Sequence, residues 1–358
     1  MSERPMSQST ATAISPDSGE HWSAPGAWTV ADGVHRVPLP LPMDGLKAVN
    51  IYVLEGSDGL SLVDGGWAIT EGRTALESGL KKLGFGFGDI RRFLVTHVHR
   101  DHYTLASVLG QEYGADVLLG AGDRPTLELT NGDLDGWIST DRLLAYAGAH
   151  ELAASWAENP PPAPDLSHWR MPDRWLEGDV RLDVAGRDLD AVHTPGHTQG
   201  HYVYADLAGP VLFAGDHVLP TITPSIGFEP VPVVDPLGDF MASLTKVRSL
   251  PDLRLLPAHG PVASSSHARV DELLAHHESR LAQSLASLRA GRRSALEVAA
   301  DLGWTRHERA FAELDFFNAG LAVMETKAHL ELLVARGLAT REETEASVLF
   351  APVTAVSG

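Results

Sequence analysis

Cysteine is absent from all 358 residues, which excludes disulfides and thiolate ligands; any metal must be held by nitrogen and oxygen alone. Basic residues are scarce, with 28 lysines and arginines against 47 acidic residues and a formal net charge of −19. Proteins that grip a phosphate backbone need clustered Lys and Arg. Here Arg91-Arg92 and Arg292-Arg293 are only pairs, so nucleic-acid binding is disfavoured. Long apolar runs are missing too: nothing approaches the roughly 18 residues of a membrane-spanning helix, and no membrane partner is expected. The Ser/Thr/Pro-rich start, Met1 to Glu20, lacks an apolar run resembling a signal sequence. Residues 1–26 are therefore expected to form a flexible tail, and the chain a cytoplasmic enzyme.

What the chain has is histidine, 17 in all, and much of it is concentrated. Thr96-His97-Val98-His99-Arg100-Asp101-His102 places three imidazoles and a carboxylate within six residues, directly after the apolar run Arg92-Phe93-Leu94-Val95. Alternate residues His97 and His99 project from one side of an extended backbone, and Asp101 and His102 open the next turn. Imidazole together with carboxylate suits zinc, or manganese and iron. Three later segments repeat the pattern of a β-type run ending beside a potential ligand. They are Val192 to His201 with Gly196-His197-Thr198, Val211 to His217 with Gly215-Asp216, and Leu255 to Pro261 with Ala258-His259-Gly260. A ligand at the end of a buried strand is held rigidly while it faces a cleft, as a preorganised metal centre requires.

In that order, these segments resemble the metallo-β-lactamase superfamily of hydrolases over roughly residues 27 to 262. The resemblance implies one metal on His97, His99 and His197, a second on Asp101, His102 and His259, and Asp216 bridging them. Val63-Asp64-Gly65-Gly66 matches the family's first motif, where a carboxylate orients the ligands from behind. Two zinc ions, with iron or manganese as alternatives, would supply a bridging hydroxide and stabilise the developing oxyanion. Asp101 is the candidate for carrying a proton to the leaving group. Asp216 and His99 argue against a true β-lactamase and a flavin-linked oxygen reductase respectively, and the full ligand set argues against a one-iron sulfur dioxygenase. The branch of glyoxalase II, lactonases and acyl thioesterases is nearest in pattern. Tyr103-Thr104-Leu105-Ala106 departs from its glycine-rich continuation, which argues against a glutathione thioester.

Periodicity gives alternating strands and helices. Strands are predicted over Ala27 to Pro40, Lys47 to Glu55, Gly59 to Asp64, Arg92 to Thr96, Ala115 to Leu119, Leu189 to Val192, His201 to Asp206, Val211 to Ala214 and Leu253 to Leu256. Helices are predicted over Ile69 to Leu83 and near Tyr103 to Tyr113. Taken with the resemblance, the fold class is α/β, a four-layer αββα sandwich spanning 27–263. Residues 122–175 form an insertion with one helix over Leu134 to Trp156, either a lid presenting Trp169 and Trp175 to the cleft or an extra helix packed on the sandwich.

At 358 residues the chain also has room for an extension. Residues 264–358 carry helical spacing from Val270 to Leu288, a helix from Leu321 to Arg336 stopped by Gly337, and a hairpin from Leu338 to Phe350. This resembles the winged-helix appendage of one superfamily branch, and the unit is read as a wall of the active site or a homodimer contact. The expected function is hydrolysis of a small acyl ester, thioester or lactone. The alternatives are a metal-dependent endoribonuclease of the same fold and a metal-binding oxidoreductase.

Overall fold

The computed structural model describes residues 13–42, 45–132, 139–160, 163–305 and 308–353. Seven strands lie side by side in chain order: β1 (Trp28–Ala31), β2 (Val34–Pro40), β3 (Ala48–Gly56), β4 (Gly59–Val63), β5 (Ile90–Leu94), β6 (Asp116–Gly120) and β7 (Arg174–Leu176). A second sheet runs β12 (Arg254–Pro257), β11 (Val211–Gly215), β10 (Tyr202–Asp206), β9 (Arg187–His193) and β8 (Val180–Val184). The pairs β4/β5, β5/β6, β6/β7 and β11/β12 are parallel. A parallel neighbour needs a crossover that returns the chain to the starting edge. Those crossovers contain α1 (Thr70–Leu83), α2 (Arg100–Tyr113), α3 to α5 (Arg124–Asn131, Thr140–Tyr146, His150–Glu158) and α6 (Pro236–Arg248) respectively. The carboxyl ends of β4, β5 and β6 therefore share one edge of their sheet, as those of β11 and β12 share one of theirs.

Three apolar clusters give the layer order. Leu62 and Phe93 pack with Leu76, Leu80 and Leu105 of α1 and α2. Tyr52, Leu94 and Val63 meet Tyr204, Phe213 and Leu256 between the sheets. Leu212 and Val203 pack with Phe240 and Leu244 of α6 on the far side. The fold is the four-layer sandwich with a mainly helical C-terminal part. That part comprises α7 (Ser266–Leu288), α8 (Ala295–Asp301), α9 (Phe316–Ala335) and the hairpin of β13 (Ala339–Glu343) and β14 (Val348–Pro352). Val270, Leu281, Leu330 and Phe350 join the same cluster as Leu212 and Phe240, so residues 264–353 continue the sandwich core.

Several expectations are corrected. Ala27 to Pro40 is two strands, because Asp32-Gly33 turns the chain and Gly33 adopts φ +62°. The helix expected over Leu134 to Trp156 falls partly outside the described residues. Its remainder is two helices, α4 and α5, broken at Gly148 (φ +86°), where Ala147 C=O accepts from Leu296 N–H. The strands β7 and β8 were not foreseen. Of the tail, residues 1–12 lie outside the described residues, but the stretch that follows is packed: Asp17 forms a fully buried ion pair with Arg36 at 2.8 Å, and Trp22 is buried. Trp169 packs on the Tyr103 ring and Trp175 sits on β7 beneath Arg124, so both aromatics join the sandwich. No helix among the described residues is long and apolar enough to cross a membrane.

Candidate metal centre

Every sequence-predicted ligand arrives at the sandwich edge from the end of a strand. The chain leaves β5 through Val95 and Thr96 into His97, His99 precedes α2, and Asp101 and His102 occupy its first turn. The helix starts at Arg100, earlier than Tyr103, and so carries two of the candidate ligands. His197 lies in the turn between β9 and β10, Asp216 follows β11, and His259 follows β12 after Ala258. The structure brings all seven together. His97, His99 and His197 form one group able to hold a cation, Asp101, His102 and His259 a second, and His97, His102 and Asp216 a third, with the donor atoms of each group within 4.8 Å of one another.

Tautomers follow from what stands behind each ring. Thr96 Oγ1 donates to Asp64, so at 3.0 Å it accepts Nδ1–H of His97. His102 Nδ1–H donates to Asp64 Oδ2 at 2.9 Å, His197 Nδ1–H to Ser225 C=O at 2.8 Å, and His259 Nδ1–H to Ala48 C=O at 2.7 Å. Each of these four rings thus turns its Nδ1–H away and directs Nε2 to the centre, the orientation that backing carbonyls and carboxylates impose on metal-binding histidine. His97 Nε2 and His197 Nε2 stand 3.0 and 3.1 Å from His99 Nδ1. Tetrahedral zinc with bonds of roughly 2.0–2.1 Å separates its nitrogens by about 3.3 Å. His102 Nε2, His259 Nε2 and Asp216 Oδ1 are buried with no hydrogen-bond partner, a costly state for polar atoms unless a cation completes them. The donor set fits divalent metal ions.

Asp216 spans the two groups. Its Oδ2 is 3.6 Å from His197 Nε2, and its Oδ1 is 3.7 Å from His102 Nε2 and 3.4 Å from His259 Nε2. Asp101 Oδ2 lies 3.4 Å from His259 Nε2 and 3.6 Å from His102 Nε2. Burial and the neighbouring imidazoles hold His97 well below its ordinary pKa and His99 down to about 3, so both stay neutral. Burial opposes charge on His102 as well, but Asp64, Asp101 and Asp216 push it up to about 10. A cation bound there exchanges with that proton. Burial would raise Asp101, yet His102, His259 and His99 keep it ionised.

Asp64 is where the first motif places it, buried behind the ligands with φ +62°. It accepts Thr96 N–H at 2.7 Å and Thr96 O–H at 2.9 Å as well as His102.

Other supports were missed. Asp123, fully buried, accepts Val98 N–H at 2.8 Å, Gly200 N–H at 2.7 Å and Thr198 O–H at 3.2 Å. It clamps the loop between His97 and His99 to the loop that carries His197, and burial pushes it up to about 7 against those three hydrogen bonds. Close approach needs glycine here, since a Cβ on Gly122 would lie 2.1 Å from Gln199 C=O. The clue was the tripeptide Ala121-Gly122-Asp123 after β6, which repeats Ala214-Gly215-Asp216 at the end of β11. Asn50 is a second missed support. It donates to Pro257 and Gly260 C=O at 3.0 and 2.9 Å and accepts from Arg36, tying the His259 loop to the N-terminal segment. His201, beside His197 in sequence, is not a candidate ligand: its Nε2 accepts Asp216 N–H at 3.1 Å and fixes that residue's backbone.

With the geometry in hand, known proteins place the chain. The metallo-beta-lactamase superfamily matches residues 44–259, and the chain belongs to it. The lactamase-like protein adaB of Aspergillus niger is 36% identical over 112 residues, 31% of this chain and 33% of that protein, so the chain spans about a third of that relative. The probable metallo-hydrolase YqjP of Bacillus subtilis is 24% identical over 306 residues, 84% of this chain and 91% of that one. A metallo-beta-lactamase family protein from Thermus thermophilus has a similar structure, with a TM-score of 0.74 at 28% identity, covering 91% of this chain and 100% of that one. The likeness to the Bacillus subtilis and Thermus thermophilus proteins extends over most of the chain, beyond the 44–259 region that the superfamily itself matches.

Proposed function

We propose that this hydrolase cleaves a small acyl ester, thioester or lactone with two metal ions, one held by His97, His99 and His197 and the other by Asp101, His102 and His259. The observation that carries the dinuclear reading is Asp216, whose two oxygens face different histidine groups, 3.6 Å from His197 on one side and 3.4 Å from His259 on the other. When bound, divalent ions lower the pKa of water to roughly 7 and polarise the substrate oxygen. Asp64, Ala48 and Ser225 keep the imidazoles in the tautomer that leaves Nε2 free. Asp101, ionised and at the centre, takes up a proton on Oδ2 and returns it to the leaving oxygen or sulfur.

Two features support an acyl substrate over a polynucleotide. One is the charge of −19. The other is an aromatic cluster of Trp156 from α5, Phe228 from the segment following Ser225, and Phe316 and Phe317 from the start of α9, which suits an apolar acyl group. We place the protein with the glyoxalase II, lactonase and acyl thioesterase branch and read its winged-helix-like C-terminal unit as a wall of the active site or a homodimer contact. We take zinc as the metal, with iron and manganese as alternatives, and the cytoplasm as its location.

The test is a hydrolysis screen of acyl-CoA thioesters, simple esters, lactones, nitrocefin and RNA on protein stripped by chelator and reloaded with zinc. The expected result is turnover of an ester, thioester or lactone that depends on zinc and changes little between about 50 and 200 mM salt, since few phosphates are engaged. Cleavage of RNA alone, with binding that falls by about 0.7 logarithmic units per phosphate contact, overturns it. Elemental analysis should show two ions held at this centre, with the count per chain lower in Asp216→Ala than in the wild type; a count unaffected by that change overturns the dinuclear centre.

A further inference from the structure

A second cluster of metal-binding side chains lies on α7 and α9, in the C-terminal part of the chain. His276 and His277 of α7 and Glu325 of α9 offer donor atoms within 4.8 Å of one another. His277 is fully buried and its Nε2 has no hydrogen-bond partner. Its tautomer is dictated from behind. His329 Nδ1 faces the Glu325 backbone carbonyl at 2.8 Å, an atom that can only accept, so the proton is on Nδ1 and Nε2 of His329 is a lone pair. His277 Nδ1 stands 3.2 Å from that lone pair and must donate to it, leaving its own Nε2 bare. Burial, with His329, His276, Arg280 and Arg269 nearby, keeps His277 neutral. His277 Nδ1–H is thus held by a fixed acceptor, as the second ring nitrogen of a metal-ligating histidine is, with an imidazole here in place of the usual carboxylate or carbonyl.

The surroundings leave the carboxylate available. Burial raises Glu325, with Arg280 opposing the shift. The guanidinium of Arg280 is committed elsewhere, 4.3 Å over the Trp304 ring and 2.9 Å from Gly303 C=O. Arg269 is bound to the carbonyls of Leu219 and Ile222 and to Glu272. His276 is exposed, with its ring edge-on to that of His277 at 5.2 Å between centroids. Two imidazoles and a carboxylate suit zinc, with bonds of roughly 2.0–2.2 Å and a water in the fourth position.

We propose that His276, His277 and Glu325 form an additional site for a divalent transition ion of the zinc class, separate from the hydrolytic centre, which cross-links α7 to α9. A bound ion stabilises the folded state in proportion to its occupancy, so the site would staple the C-terminal helices.

The test is zinc stoichiometry at a fixed free zinc concentration, by equilibrium dialysis and elemental analysis of the full-length protein. The wild type is compared with the double variant His276→Ala/Glu325→Gln and with each single variant. The double variant should hold one zinc ion fewer per chain while its hydrolytic turnover and the remaining ions are unchanged, and added zinc should raise its Tm less than that of the wild type. Both changes lie at an exposed and a half-buried position, and Glu325→Gln keeps the side chain's size, so the single variants serve if the double variant does not fold. Equal zinc counts in wild type and in every folded variant overturn the site and leave these residues as a buried hydrogen-bond network. Because the readout is a difference between variants, it stands whether the hydrolytic centre holds one ion or two.

Discussion

His102 Nδ1 donates to Asp64 Oδ2 at 2.9 Å, and the same carboxylate receives the backbone and hydroxyl protons of Thr96. Asp64 therefore sets which nitrogen of His102 faces the centre. Asp64→Asn should tolerate φ +62°, since Asn visits the left-handed region readily. Its amide oxygen would serve Thr96 and its NH2 would then confront His102 Nδ1, driving the proton to Nε2 and blocking the lone pair. Metal affinity should drop by about 10–100-fold with near-native Tm. Dialysis followed by elemental analysis checks this, and retention equal to wild type refutes it.

Asp101→Asn preserves size while removing the charge and the proton acceptor beside His259 and His102. Turnover on the best substrate should decrease by about 10² or more with the circular dichroism spectrum unchanged. Wild-type turnover in this variant would remove Asp101 from the mechanism.

Asp123→Asn tests the clamp between ligand loops. Asp123 uses both oxygens as acceptors, Oδ2 for Val98 and Thr198 and Oδ1 for Gly200. An amide NH2 at either position faces a backbone N–H, leaving two buried donors opposed. We expect a loss of about 1–3 kcal/mol in stability and weaker retention of metal by His97, His99 and His197. Thr198→Val removes only the 3.2 Å hydroxyl contact and should cost less. Chemical denaturation ranks the pair, and equal stability of all three proteins would deny Asp123 its role.

Removal of residues 264–358 strips α7 and α9 from a cluster that also contains Leu212, Val203 and Phe240. The truncated chain should expose that face and fail to fold, rather than leave an active core. A milder probe is Leu330→Ala, a fully buried position, expected to lower stability by about 2–5 kcal/mol. A soluble, cooperatively melting 1–263 fragment would show that the sandwich stands alone.

Much of the centre was legible because its ligands are local in sequence. His97, His99, Asp101 and His102 occupy one strand-to-helix junction, and period-2 geometry alone puts His97 and His99 on one side. Turns marked by glycine were also readable, as with Gly84 and Gly337, both in the left-handed conformation after their helices. Where the reading failed, long-range partners decided. The break at Gly148 is held by Leu296, far along the chain, and Asp17 is ordered by Arg36 in β2.

The amino-acid sequence by itself determined the chemistry available: no thiolate, a surplus of acid, and histidines and aspartates at the ends of apolar runs in an order that matches one superfamily. Those properties are local, carried by residue type and spacing. Only the tertiary structure decided which atoms face which. That the two oxygens of Asp216 point to different histidine groups, that Asp123 joins two ligand loops, and that His276 and His277 meet Glu325 depend on contacts between segments some tens of residues apart. Spacing along a chain carries no information about such contacts until packing of the two sheets and their helices brings the segments together.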